Sequence, residues 1–256
     1  MIVFTCEDTF EAMMTCIYEA WSSKAGHKNI KLKTEPIGNL ELFCEYRHTD
    51  GDMEKCRKVI RAIQQKISRR AYHMVFRCAA SEHPEKLDII YRFLLLGFYY
   101  GSRVLSMLSH PAVMAFFELD RKVSNETHLF REFTRFSSSE NGVLSALIEP
   151  KSNILPLLYP SFEDRMPSEN WMITDVNRRL AAVHPAADET YLTSLSADEL
   201  TLIRQDYFQQ DIYTDMWTGF FQNIAIKERK NPACQRTHLP LWYRKYAVEF
   251  SPDPDI

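Results

Sequence analysis

Between Ala71 and Phe133 apolar residues recur at helical spacing almost without interruption, and only Ser81–Pro84 and His110–Pro111 carry residues that stop a helix. A helical block of that length commits the chain to a helix-rich fold. Glycine use agrees: 7 in 256 residues, too few for a Gly-rich phosphate loop. Gly97 and Gly101 stand four apart in Leu96-Gly-Phe-Tyr-Tyr-Gly. That spacing predicts close packing of one helix on another rather than a ligand role.

Around this block the pattern is mixed. Ile2 to Thr5 predicts a short strand, and Asp8 with Glu11 a capping box opening a helix. Phe10, Met13, Met14, Ile17, Tyr18 and Trp21 then fall on one helical face. Ile30–Leu32 and Leu40–Tyr46 read as strands separated by the turn residues Pro36, Gly38 and Asn39. A second amphipathic helix starts at Asp52 with Cys56, Val59, Ile60, Ile63 and Ile67 inward. Past Phe136, Val143–Ile148 reads as a strand and Asn153–Arg165 as a Pro-interrupted helix. Trp171–Thr174 and Arg179–Val183 read as the arms of a hairpin turning at Asp175–Arg178. Ser196 with Glu199 caps a helix presenting Leu200, Ile203 and Tyr207, and Tyr213, Trp217, Phe220, Phe221 and Ile224 continue its apolar face. The fold class is α+β, helix-dominated. A small α+β module at 1–70, a helical region at 71–133 and a C-terminal α+β region at 134–256 are expected, or one compact domain uniting them.

The hydrophobic fraction of 45% and charged fraction of 25% are those of a soluble globular protein. The net charge of −3 means that any nucleic-acid binding must come from a local patch. The six cysteines lack a C-x-x-C pair and read as free thiols of a reducing cytoplasm. The most apolar run, Phe93 to Tyr100, lies between Arg92 and Arg103 and is too short to span a bilayer, so no membrane role is expected.

Positive charge is concentrated from Lys227 to Tyr246, where six Lys/Arg face one acid, two prolines interrupt any helix, and Trp242, Tyr243 and Tyr246 fall within five positions. Cations among aromatic rings suit phosphates with bases, or an acidic partner surface. The same residues also suit a C-terminal strap with rings inward and cations outward.

Chemistry-bearing motifs are sparse. Glu126 and His128, two apart, point away from each other on a helix and cannot share an ion, and no H-E-x-x-H, cysteine cluster or Asp-rich loop is present, so no metal or cofactor is expected. No nucleophile elbow occurs, and Cys234, amid Lys230, Arg236 and His238, reads as an incidental loop residue. Glu149 ends a predicted strand and Asp175 sits at a predicted hairpin tip. Together they would suit a general base, with Asn153 positioning a substrate. The competing reading pairs Arg135, Arg165 or Arg178 with those acids in an ion network.

Four pieces of the chain resemble the "probable DNA metabolism protein" family of bacteria: the opening strand with Asp8 to Ala20; Asn125-Glu126-Thr-His128 with Phe133-Thr-Arg135-Phe136; Ile148-Glu149-Pro150-Lys-Ser-Asn153 through Phe162-Glu-Asp-Arg165 to Trp171-Met-Ile-Thr-Asp175; and Ile224 to Tyr246. The resemblance implies an association with DNA repair or modification. Members are encoded beside a radical SAM protein of DNA repair or modification, and related regions are fused to a uracil-DNA-glycosylase-like domain. Neither that fused domain nor the radical enzyme's cysteine cluster is present here, so neither activity carries over. Three roles follow as expectations. The first is a DNA-associated accessory protein that binds nucleic acid or a nucleotide through Arg135, Asn153, Arg165, Arg178, Arg229, Lys230, Asn231, Arg236, Tyr243 and Lys245, with Glu126, His128 and Trp171 completing the motifs. The second is a base- or nucleoside-processing enzyme using Glu149 or Asp175. The third is a protein adaptor without nucleic-acid contact. The strap is expected to bring Arg229, Asn231 and Arg236 toward the Glu149–Asp175 segment.

Overall fold

The computed structural model describes residues 1–139, 141–207 and 212–250. It has the expected α+β, helix-dominated architecture and divides into two compact units, 1–124 and 125–256.

In the first unit, β1 (Ile2–Cys6) is the centre of a three-stranded parallel sheet, with β2 (Ile30–Thr34) on one side and β3 (Glu45–His48) on the other. The helix α1 (Phe10–Ser22) links β1 to β2, as parallel pairing requires. Its cap is one residue later than expected. Thr9 is extended and its hydroxyl accepts from the Ala12 N–H at 3.2 Å, while Asp8 pairs with the buried Lys86 at 2.6 Å. The strand expected at Leu40–Tyr46 also moves. Leu40, Leu42 and Phe43 are exposed, and Phe43 has φ +59°, so regular pairing begins only at Glu45.

Asp52 caps α2 (Met53–Lys66) by accepting from the Glu54 and Lys55 N–H groups. The helical block resolves into α3 (Arg69–Ala79), α4 (Lys86–Tyr100) and α5 (Pro111–Phe133); the first break falls at Ser81–Pro84 as expected, whereas α4 stops at Gly101 and a 3₁₀ turn at 101–106 precedes Pro111. Cys56, Val59, Ile63, Met74, Val75, Ile90 and Phe93 meet in one core, and Phe93 stacks on Phe116 with centroids 3.7 Å apart. A β-carbon on Gly97 would overlap the side chain of Ile67, so glycine is what lets α4 lie this close to the end of α2. Gly101, at φ +61°, ends α4.

In the second unit a five-stranded sheet runs in the order β4-β5-β6-β7-β8. β4 (Ser137–Ser138), β7 (Leu180–His184) and β8 (Tyr191–Ser194) pair antiparallel, whereas β5 (Leu144–Ile148) and β6 (Trp171–Asp175) are parallel. The connection between the parallel strands carries α6 (Leu155–Leu158) and α7 (Pro160–Glu163), the Pro-interrupted helix of the sequence. The β6–β7 hairpin forms where expected, with Arg179 at φ +50° inside the turn rather than in the strand.

The Ser196–Glu199 capping box is reciprocal. Glu199 accepts from the Ser196 N–H at 2.8 Å and donates its own N–H to Ser196 Oγ at 3.2 Å, opening α8 (Ala197–Tyr207). Leu200 and Tyr207 then bury against Leu147 and Val176. The apolar face expected to continue along α9 (Ile212–Ile224) is only partly covered. Phe221 meets Phe250, but Met216, Phe220 and Ile224 are more than half exposed. A short helix, α10 (Pro232–His238), and 3₁₀ turns at 227–229, 241–244 and 248–250 complete the unit. No helix among the described residues is long and apolar enough to cross a membrane.

Candidate functional site

The candidate site is the loop Glu149-Pro-Lys-Ser-Asn153, which leaves β5 at the carboxyl end of the parallel β5–β6 pair. Such ends collect loops and are a common place for ligands in sheets with parallel strands. Four other elements of the second unit meet this loop.

From α5, the buried Glu126 carboxylate accepts from the Lys151 N–H at 2.6 Å and the Ser152 N–H at 3.3 Å. From the β6–β7 turn, Asn177 Nδ2 and Arg178 Nη1 each donate to the Pro150 carbonyl at 3.1 Å, and Arg178 Nη2 donates to the Lys151 carbonyl. From the tail, Lys245 Nζ reaches both Glu149 oxygens at 2.6 and 2.7 Å, and the Tyr246 hydroxyl donates to Glu149 Oε1 at 2.6 Å. Arg204 of α8 stands 3.6 Å from the same carboxylate.

Both candidate bases are engaged. Burial pushes the Glu149 carboxyl up, but Lys245, Tyr246 and Arg204 outweigh it and the pKa ends below the ordinary value. The Tyr246 phenol rises through its own burial and the adjacent Glu149 charge. Asp175 is wholly buried at the end of β6. It caps its own turn by accepting from the Asn177 and Arg178 N–H groups and pairs with Arg178 Nη1 at 2.9 Å. Burial raises its pKa despite the guanidinium and the two N–H donors.

A pH test follows for Glu149. Its folded pKa lies below the unfolded value, so its contribution is complete above about 4.5 and is lost as pH falls through the folded value. Glu149→Gln should therefore cost on the order of 1 kcal/mol at neutral pH, and the gap from wild type should close on acidification. Denaturant titrations at pH 7 and on the acid side read the difference. A gap that is independent of pH would show that the Lys245–Tyr246 contact does not depend on the carboxylate charge.

The remaining predicted residues separate into groups. Arg135 pairs with neither Glu149 nor Asp175. Its guanidinium grips the buried Glu249 of the tail, with Nη2 at 2.6 Å and Nε at 3.1 Å, and lies over the Trp217 ring at 5.3 Å. Arg165 is exposed over Phe162. Arg178 and Lys245 do meet the loop. Tyr243 packs on Phe130 at 5.0 Å, and burial and the Glu126 charge raise its pKa. Trp171 is buried, stacked on His184 at 4.9 Å. Asn153 Oδ1 is buried without a hydrogen-bond partner among the described residues. His128 is exposed while Glu126 is buried, as their spacing requires.

The strap is expected to bring Arg229, Asn231 and Arg236 toward the Glu149–Asp175 segment, and the hydrogen bonds that join the tail to Glu149 come from other residues. Asn231 turns its carboxamide back to cap α10, accepting from the Cys234 N–H at 3.0 Å. Arg229, Lys230 and Arg236 are exposed and make no hydrogen bond or ion pair to that segment among the described residues. The strap is closed by Lys245 and Tyr246 instead.

Two residues outside the expected set stand out. Lys151 is exposed at the loop's centre and holds its ammonium 5.1 Å from the Trp242 ring centroid. Trp242 is 36% exposed and stands against Tyr243 at 3.7 Å, itself backed by Phe130. In the sequence Lys151 carries no signal beyond lying between Glu149 and Asn153, and Trp242 carries that of the aromatic cluster of the tail. Around the loop four cations (Lys151, Arg178, Arg204, Lys245) face three carboxylates (Glu126, Glu149, Asp175). Among the described residues no group of three or more His, Cys, Asp or Glu side chains could hold a metal ion.

In comparison with known proteins, the model of a family described as a domain of unknown function, DUF4130, matches residues 84–249. No curated protein matches, and no solved structure does.

Proposed function

We propose that this chain, which belongs to the DUF4130 family of domains of unknown function, is a nucleic-acid-binding accessory protein of DNA repair or modification. Its binding element is the Glu149–Asn153 loop with the tail ring Trp242. The observation that carries this is Lys151 held over the partly exposed Trp242, a cation and a backed aromatic ring presented together. A nucleotide needs both. A base stacks on the indole as the ammonium moves to the neighbouring phosphate, and Arg229, Lys230 and Arg236 supply further phosphate contacts along the tail. The commitment of Glu149 to Lys245 and Tyr246, and of Asp175 to Arg178, supports binding over turnover by those carboxylates. The resemblance to the "probable DNA metabolism protein" family adds the context: a partner radical SAM enzyme performs the chemistry on DNA that this chain holds.

Fluorescence anisotropy with labelled single-stranded and duplex DNA over a salt series tests the reading. Affinity should fall steeply as salt rises. Lys151→Glu should weaken binding roughly tenfold and flatten the salt slope by about one unit, and Trp242→Ala should weaken it by roughly five- to hundredfold. Binding that is absent at low salt, or indifferent to both substitutions, would overturn it.

A further inference from the structure

The first unit contains a cavity of about 430 Å³ between α1, α2 and α4, within the size range of small-ligand sites. Most of its lining precedes residue 84, where the family match begins. Ile17 of α1 with Val59 and Ala62 of α2 form an apolar floor. Tyr18, Trp21 and Phe98 make aromatic walls, with the Trp21 and Phe98 rings edge-to-face at 5.3 Å.

Two features separate this cavity from an ordinary surface dip. First, Trp21 is 41% exposed although its spacing places it on the apolar face of α1. It is held upright by Phe98 and by His27 at 4.9 Å, and His27 is itself fixed by Tyr91 at 2.8 Å. An indole already immobilised loses little rotamer entropy when a ring stacks on it. Second, the rim is cationic. Lys58 and Lys66 both line the cavity; Lys58 has only the exposed Glu54 four residues earlier on its helix, and Lys66 makes no ion pair among the described residues. An exposed pair of this kind is worth a few tenths of a kcal/mol and exchanges readily for a better anion.

We propose that this cavity binds a small planar aromatic anion, its ring against Trp21 and Phe98 and its charge on Lys66 and Lys58. The cavity's size suits a single ring system and its two rim lysines suit one anionic group, a chemistry shared by nucleoside monophosphates and by aromatic carboxylates. The site is independent of the loop in the second unit, and it stands or falls separately from nucleic-acid binding there.

Calorimetric titration of the whole protein with adenosine monophosphate, uridine monophosphate, indole-3-acetate and neutral adenosine tests it. At least one anion should bind, and where adenosine monophosphate does, adenosine should bind more weakly. The nucleotides binding alone would assign the site to nucleotides; indole-3-acetate binding alone would assign it to aromatic carboxylates. Lys66→Glu should weaken the bound anion roughly tenfold or more, as expected for loss of a charge-assisted contact, with the fold kept and the melting temperature lowered by no more than a few degrees, because Lys66 is exposed at the end of α2. Trp21→Ala should weaken it as well; should that variant not fold, Lys66→Glu alone carries the test. No binding by any anion, adenosine binding as tightly as its monophosphate, or undiminished binding by Lys66→Glu would overturn the proposal.

Discussion

Trp171→Ala should lower the stability of the protein by about 3–5 kcal/mol while leaving the DNA affinity of the folded protein unchanged. The residue belongs to a motif in which an aromatic ring invites a base-stacking role, but its surroundings are those of a core side chain. It is 1% exposed, donates its indole N–H to the Met166 carbonyl at 3.3 Å, and lies nearly parallel to the His184 ring at 19°. Truncation removes the ring, leaves a cavity beneath β6 and β7, and takes one of its two donors from the Met166 carbonyl. Denaturant unfolding reads the first effect and anisotropy under folding conditions the second. Trp242→Ala should show the opposite pattern, a small stability change with a large loss of affinity, because that ring is open to solvent. A Trp171 variant that keeps its stability and loses DNA would place the ring in the binding surface and exchange the two assignments.

The contrast between these tryptophans shows what could be read in the chain before its fold was known. Local rules located most elements: Asp52 and the Ser196–Glu199 box cap helices because capping depends on residues within one turn. The β6–β7 hairpin and the Pro-broken α6–α7 segment follow from spacing alone. The errors arise where a distant partner decides. Asp8 satisfies the cap pattern, yet Lys86, far along the chain and buried, takes its carboxylate, so Thr9 caps instead. Leu40–Phe43 has strand-like composition, but Leu40, Leu42 and Phe43 stay exposed and the left-handed Phe43 delays regular pairing to Glu45. β8 was not foreseen, since its largely exposed edge position gives no alternation of apolar and polar residues.

The site shows the same division. The link between the tail and the Glu149 loop was legible as complementary charge, but which cation makes it was not. Lys245 wins over Arg229 and Arg236 because the 3₁₀ turn at 241–244 packs Trp242 and Tyr243 on Phe130 and delivers the next residue to Glu149. In the sequence Glu126 reads as a poor metal ligand beside His128 and as part of a motif without a role of its own. A carboxylate that serves backbone N–H groups 25 and 26 residues away leaves no trace in local spacing.

Glu126 is nonetheless the residue on which the proposed binding loop most depends. Its carboxylate is buried, and the Lys151 and Ser152 N–H groups have it as their acceptor. Glu126→Ala would leave both donors without their acceptor, at a cost of about 1–3 kcal/mol for each, so a loss of about 2–6 kcal/mol is expected. Amide exchange at Lys151 and Ser152 should accelerate, and DNA affinity should fall because Lys151 no longer stands over Trp242. Glu126→Gln keeps one acceptor oxygen and should recover part of both. Comparison with Lys151→Glu separates anchoring from contact: the lysine variant should lose affinity at nearly full stability, because its side chain is exposed and its backbone N–H still reaches Glu126. If Glu126→Ala keeps wild-type stability and slow exchange at both amides, then Asn177 and Arg178, through the Pro150 and Lys151 carbonyls, are sufficient to hold the loop. In that case the buried carboxylate would be a consequence of the loop's position rather than its cause.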